Sequence, residues 1–190
     1  MSRVLPYALL AALAVSAPTP ARATDAADFI AKFSGEWLGT GQILFGSENG
    51  LKFHCALNGD PSRTQLTFGM SGRCWMGAFS APVHAQLRFH AATDQFYGEF
   101  MDGAEGDGVD VVGTRAGDGF SMQLTRGPLQ GRLAADAINA DQMKVTIYYR
   151  SRVQKREVPV LALGFTRKNA GTALPDYLPD TPTGSIGGTR

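Results

Sequence analysis

Between Gly35 and Arg167 the apolar residues recur with a period of two, the signature of strands buried on one face. Val83, Ala85, Leu87 and Phe89 alternate with His84, Gln86, Arg88 and His90. Met143, Val145, Ile147 and Tyr149 repeat the pattern, and shorter runs hold Trp37, Phe45, Leu51, Phe53, Phe68, Phe96, Phe100 and Phe120 in the apolar phase. Residues 127–141 are less regular, with a short strand expected near Leu129 and Leu133. Turn signals separate the runs: Asn49-Gly50, Asn58-Gly59-Asp60-Pro61, Thr93-Asp94 and Ala116-Gly117-Asp118-Gly119. Nothing between them is long enough and helical enough for a βαβ crossover, which excludes a parallel α/β sheet. The segments number eight or nine. The fold class they predict is all-β, an antiparallel up-and-down barrel of eight to ten strands with a short N-terminal helix. Closing the ribbon removes both exposed edges, and a two-sheet sandwich is the rival.

The ends of the chain read differently. Ser2-Arg3, an apolar run from Val4 to Val15, and Ala21-Arg22-Ala23 have the order of a secretory leader cut near Ala23. The run is too short to span a bilayer, and the chain has no later apolar stretch of spanning length. Expected domains are therefore a signal peptide over residues 1–23, a barrel domain over 24–168 and a disordered tail over 169–190, and the expected location is the periplasm or beyond. Ala27, Ile30 and Phe33 recur at helical spacing over residues 25–33, with Thr24 or Asp25 able to cap them and Gly35 to end them.

Charge is balanced, with 18 Lys and Arg against 17 Asp and Glu. This argues against nucleic acid as a partner, which requires a basic face. In an oxidising compartment the two cysteines, Cys55 and Cys74, are most simply a disulfide; two buried thiols are the other reading. A hairpin turning through Asn58 would place Cys55 opposite Leu66, so the bridge needs a bend in residues 69–73 to bring Cys74 within reach.

Gly35-Glu36-Trp37 follows a helical turn and opens the first strand, while Phe165-Thr166-Arg167 ends the last. In this the chain resembles the lipocalin and calycin barrels, and more loosely small secreted proteins of alpha-proteobacteria. The resemblance implies that Trp37 and Arg167 pack together at the closed end through a cation–π contact. A tight first hairpin and glycine-rich central loops depart from the pattern.

Linear catalytic motifs are missing: there is no Walker loop, His-Glu-x-x-His or Gly-x-Ser-x-Gly. His84 and His90 fall on the polar phase of one strand and are expected to face water, and His54 lies opposite an apolar phase. No catalytic residue, cofactor or metal site is assigned. The acidic glycine loop over 102–110 offers oxygen ligands for Ca²⁺, but not at EF-hand spacing; a solvated hairpin explains it as well. Arg150, Arg152, Lys155 and Arg156, beside Tyr148 and Tyr149, form the densest charge cluster, a candidate patch for an anionic partner such as an envelope lipid or lipopolysaccharide. A barrel of this size either fills with side chains or holds one small ligand. Large phenylalanines fill it, whereas Gly39, Gly41, Gly98 and Gly113 are expected to leave room. Arg73, Tyr97 and Tyr148 are the polar residues whose inward placement would favour a ligand site. The leading expectation is an exported, non-enzymatic barrel that binds a small apolar or amphipathic ligand. The alternative is an envelope protein acting through its outer surface.

Overall fold

The structure, a computed structural model, describes residues 20–101, 108–151 and 155–168. The segment expected to be a leader lies outside the described residues except for its last four, and so do the segment expected to be a tail, residues 102–107 and Arg152. After α1 (Pro20–Ala31) come β1 (Gly35–Ile43), β2 (Lys52–Ser62), β3 (Thr67–Met76), β4 (Phe79–His90), β5 (Gln95–Met101), β6 (Val109–Ala116), β7 (Gly119–Arg126), β8 (Leu129–Asn139), β9 (Gln142–Ser151) and β10 (Arg156–Arg167). Each strand pairs antiparallel with its neighbours in sequence, and β1 pairs with β10 to close the barrel. The expected fold class is what is found, at the upper end of the strand count; the sandwich is excluded.

Alternation sets the two faces. On β4, Leu87 and Phe89 are buried while His84, Gln86, Arg88 and His90 are exposed or nearly so. An apolar lumen inside a polar wall is the reverse of a barrel built to span a bilayer. Among the described residues, no helix is long and apolar enough to cross a membrane.

The helix starts earlier than its apolar spacing indicates, at Pro20 rather than near Thr24. Proline suits a first helical turn, and Ala21-Arg22-Ala23 are good helix formers. Its buried face, Ala26, Phe29 and Ile30, continues into Phe33 and plugs one end of the barrel. Phe33 packs 4.6 Å from the Phe120 ring and 5.5 Å from Phe68; Phe29 lies 4.9 Å from Phe120. Each such side chain contributes about 1.5–3 kcal/mol through burial. Ion pairs orient the plug: Asp25 with Arg115 at 2.7 Å, Asp28 with Arg63 at 3.0 Å, and Lys32 with Asp118 at 2.8 Å.

Two turns differ from the sequence reading. Asn58-Gly59-Asp60-Pro61 is not a turn but lies inside β2, and the chain reverses at residues 63–66. Gly59 is needed because a Cβ there would come within 1.9 Å of the Phe33 carbonyl oxygen at the end of the plug. Pro61 is tolerated because β1 begins at Gly35, opposite Gly59, so β2 runs on with one edge free. Pro82 sits in the same way on β4, ahead of its first pairing with β5 at His84. The first hairpin is also not tight. Ladder pairing ends at Ile43 and residues 44–51 form a longer loop, with Gly46 and Gly50 at positive φ. Phe45 and Leu51, assigned to the apolar phase, are consequently exposed. Residues 129–139 form one long strand, bulged near Ala137, which explains their weak periodicity.

Candidate functional site: an apolar cavity

An up-and-down barrel puts its β1–β2, β3–β4, β5–β6, β7–β8 and β9–β10 connections at one end. Here that end lies opposite the helix. Behind it is a cavity of about 500 Å³. Phe33, Phe68 and Phe120 form its floor. Leu87, Met122 and Leu163 line its middle, and Ile43, Met76, Phe79 and Leu161 reach toward the mouth. Among the described lining residues Ser80 carries the one hydroxyl, and none is charged. A surface of this kind offers shape and apolar contact.

The cysteines are part of this wall. Cys55 and Cys74 are directly paired residues of β2 and β3 and form a disulfide. The bend expected at residues 69–73 is not there: once the turn moves to 63–66, the plain register places the two opposite one another. The disulfide ties β3 to β2 just below the β3–β4 hairpin, whose tip carries Gly77 at positive φ. Trp75, Met76, Phe79 and Ser80 on this hairpin line the entrance, and Phe79 is 78% exposed. These residues did not stand out in the sequence. The available signal was Met76-Gly77-Ala78-Phe79, a glycine between apolar residues.

The glycines do not supply the room. A Cβ at Gly39 would come within 2.4 Å of the Phe165 ring, and one at Gly41 within 2.3 Å of the Phe53 ring. Both pairs face each other across the ladder, so each phenylalanine lies over a glycine of β1. Gly98 and Gly113 leave no room either: a Cβ at Gly98 would come within 1.8 Å of the Gln86 carbonyl oxygen, and one at Gly113 within 2.4 Å of the Met122 sulfur and the Ser121 carbonyl oxygen. Rings folded flat against the wall keep the lumen open.

Trp37 and Arg167 are paired across β1 and β10 at the closed end. The guanidinium lies 4.2 Å from the indole ring, and the buried indole N–H donates to the Phe33 carbonyl at 3.1 Å. Arg167 also donates to the carbonyls of Lys32 (2.9 Å), Ser34 and Ala140 (3.0 Å). The pair therefore holds the plug to the barrel floor and takes no part in the cavity.

The polar candidates lie elsewhere. Arg73 is on the outer face and donates to the Ser80 hydroxyl at 3.0 Å. Tyr97 is exposed, donating to Gln95 on the outer wall. Tyr148 stacks under Arg132 at 4.2 Å. Arg132 in turn donates to Glu157 at 2.8 Å, and that hydrogen bond raises its pKa above the usual guanidinium value. Inward placement of Arg73, Tyr97 or Tyr148 is thus not found. His84 and His90 sit on the outer face of β4, with His90 near Thr93 at 3.2 Å. Arg150, Lys155 and Arg156 are exposed at the mouth end, where β9 passes to β10, and Arg152 lies outside the described residues. Most of the calcium-candidate loop is outside them as well, and no cluster of three or more metal-ligating side chains occurs among the described residues.

No protein-family model and no curated protein sequence matches the chain. Solved structures do. Rv2717c from M. tuberculosis superposes with a TM-score of 0.55 at 16% identity, over 75% of this chain and 97% of that one. The S-type phycobiliprotein lyase CPES from Guillardia theta gives 0.52 at 9% identity, over 75% and 92%. At such identities the likeness is one of fold, and the fold is a lipocalin- or calycin-like closed barrel of ten strands.

Proposed function

We propose that this protein is an exported carrier that encloses one small apolar or amphipathic molecule and releases it unchanged. The observation behind the proposal is the cavity: about 500 Å³, open at one end and lined by apolar side chains with a single hydroxyl among the described residues. That volume lies within the range of small-molecule sites, about 300–1,000 Å³. Export to the periplasm or beyond is supported by the leader-like order of residues 1–23 and by the Cys55–Cys74 disulfide, which persists in an oxidising compartment. The resemblance to secreted alpha-proteobacterial proteins is in keeping with that address. Native mass spectrometry of gently purified protein, with displacement of an environment-sensitive apolar dye, tests the reading. Stoichiometric dye uptake supports it; no bound mass and no dye uptake would end it.

A second reading places function on the outer surface, with an envelope lipid, lipopolysaccharide or protein as partner. Exposed Arg150, Lys155 and Arg156 on one side of the mouth favour it.

A further inference from the structure

The surface of the barrel is two-sided. Among the described residues, five of the eight exposed large apolar side chains sit at the mouth end. Phe45 (53% exposed) and Leu51 (46%) are on the β1–β2 loop, Phe79 on β3–β4, Leu129 (54%) on β7–β8, and Met101 (47%) at the end of β5. At the helix end, the turns carry ion pairs instead. Going round the mouth from β3 through β1 and β10 to β7, four adjacent hairpins present either apolar tips or the exposed cations Arg150, Lys155 and Arg156. The fifth, β5–β6, is acidic: Glu99 and Asp110 flank a connection whose sequence holds Asp102, Glu105 and Asp107. Glu48 and Glu157 are the acids within the arc, and Glu157 is engaged by Arg132.

We propose that this arc of the mouth docks on an anionic phospholipid bilayer, so that the cavity opens directly onto the membrane. Apolar tips on separate hairpins around an opening suit a fluid phase they can enter one by one. Cations beside them match the charge of phospholipid head groups, and their stems can lie along the apolar layer. The acidic hairpin would tilt the barrel so that the β1–β2 and β9–β10 side enters first. The inference builds on the carrier reading, because it supplies the phase from which the ligand comes.

Co-sedimentation with phosphatidylcholine vesicles, with and without phosphatidylglycerol, tests it. The exported chain, from Thr24 onward, should bind the anionic vesicles and bind the neutral ones far more weakly. Replacing Arg150, Lys155 and Arg156 with Gln should lower anionic-vesicle binding about 100-fold, at roughly fivefold per charge. Phe45→Ser with Leu51→Ser and Leu129→Ser should abolish binding. None of these residues lines the cavity, so dye uptake in vesicle-free solution should be unchanged in both variants, which also shows that they fold. Brominated acyl chains should quench Trp75 at the mouth, and Trp75→Phe should remove that quenching, because Trp37 is buried at the opposite end. Normal dye uptake without vesicle binding would overturn the docking and leave the carrier reading standing. Vesicle binding insensitive to both sets of substitutions would overturn it too, as would a rim that drives pairing with a second copy or capture of a protein instead. Vesicle binding that needs the rim, in a protein that takes up no dye, would sustain the docking while the carrier reading fell.

Discussion

Filling the cavity from its wall separates the existence of the space from its use. Ala85 lies on β4 between Met70 and Phe100, its ladder partners, and all three line the lumen. Ala85→Phe directs a ring into the cavity. In a lumen with empty space the ring gains burial, up to about 1.5–3 kcal/mol. In a packed core the same ring would overpack by about 1–3 kcal/mol. The two cases differ in sign, so thermal unfolding of ligand-free protein distinguishes them. Melting at or above the wild-type temperature is expected. Ligand binding is then read as a second shift. At a concentration about 100 times Kd, a ligand stabilises the wild type by about 2.7 kcal/mol. At about 2–4 °C per kcal/mol for a domain of this size, melting rises about 5–10 °C. Ala85→Phe should lose most of that rise, since ring and ligand claim the same volume. A variant that melts several degrees low yet keeps the full ligand shift would refute the reasoning, placing the ligand outside the lumen and the ring in a space that was never empty.

Other perturbations address the frame of the site. Replacing both Cys55 and Cys74 with Ala reopens a loop of 19-residue separation and should cost about 3 kcal/mol, lowering the urea midpoint by about 1.5 M at a slope near 2 kcal/mol/M. Arg167→Met keeps the stem but loses the cation over Trp37 and the donors to three backbone carbonyls; a loss of about 2–3 kcal/mol in urea unfolding is expected, with Arg167→Lys recovering only part because it lacks the fork. Gly59→Ala must push the end of the plug away from β2 and should destabilise by about 1–3 kcal/mol or more, whereas Gly164→Ala, with nothing within 4 Å of its Cβ, should leave melting nearly unchanged. The Lys32 ammonium hydrogen-bonds Asp118 and holds its pKa below the ordinary carboxylate value. Its small stabilising share is therefore present at neutral pH and lost as acid takes the pH down through that lowered value. Asp118→Asn should make the acid limb of a stability–pH curve slightly shallower.

Much of the architecture was legible because alternation is a local property that barrel closure then amplifies. The strand from Val83 to Phe89 read correctly since its inward residues are buried or half-buried and its outward ones exposed over the whole length, and the strand from Met143 to Tyr149 since its apolar phase turns to the lumen, where Met143, Val145 and Ile147 line the cavity. The reading failed where a residue served two rules. Gly59 and Pro61 are turn formers by propensity, yet one yields to the close approach of the Phe33 carbonyl and the other sits on a free strand edge. That error moved one turn and so misplaced Cys74, although the cysteines themselves implied the right register. Taking the disulfide as a constraint, with Cys55 opposite Cys74, would have moved the reversal to residues 63–66 and removed the need for a bend.

The cavity was harder to foresee for a geometric reason. The bore of a barrel grows with strand number, and at eight strands the interior is at the margin, either just filled by side chains or holding one small ligand. An expectation of eight to ten therefore spans the change from a packed lumen to one with room. Here the strand hardest to count comes from the stretch with the weakest pattern, the irregular residues 129–139. The large phenylalanines seemed to argue for filling, but that reasoning treated volume as if it were placed at the axis. Phe165 lies over Gly39 and Phe53 over Gly41, which moves their bulk into the wall, while Phe33, Phe68 and Phe120 gather at the plug. What helps to empty the middle of this barrel is thus the pairing of Phe165 and Phe53 with positions that lack a side chain, and such a pairing is a property of the register between strands, visible only once the ladder is known.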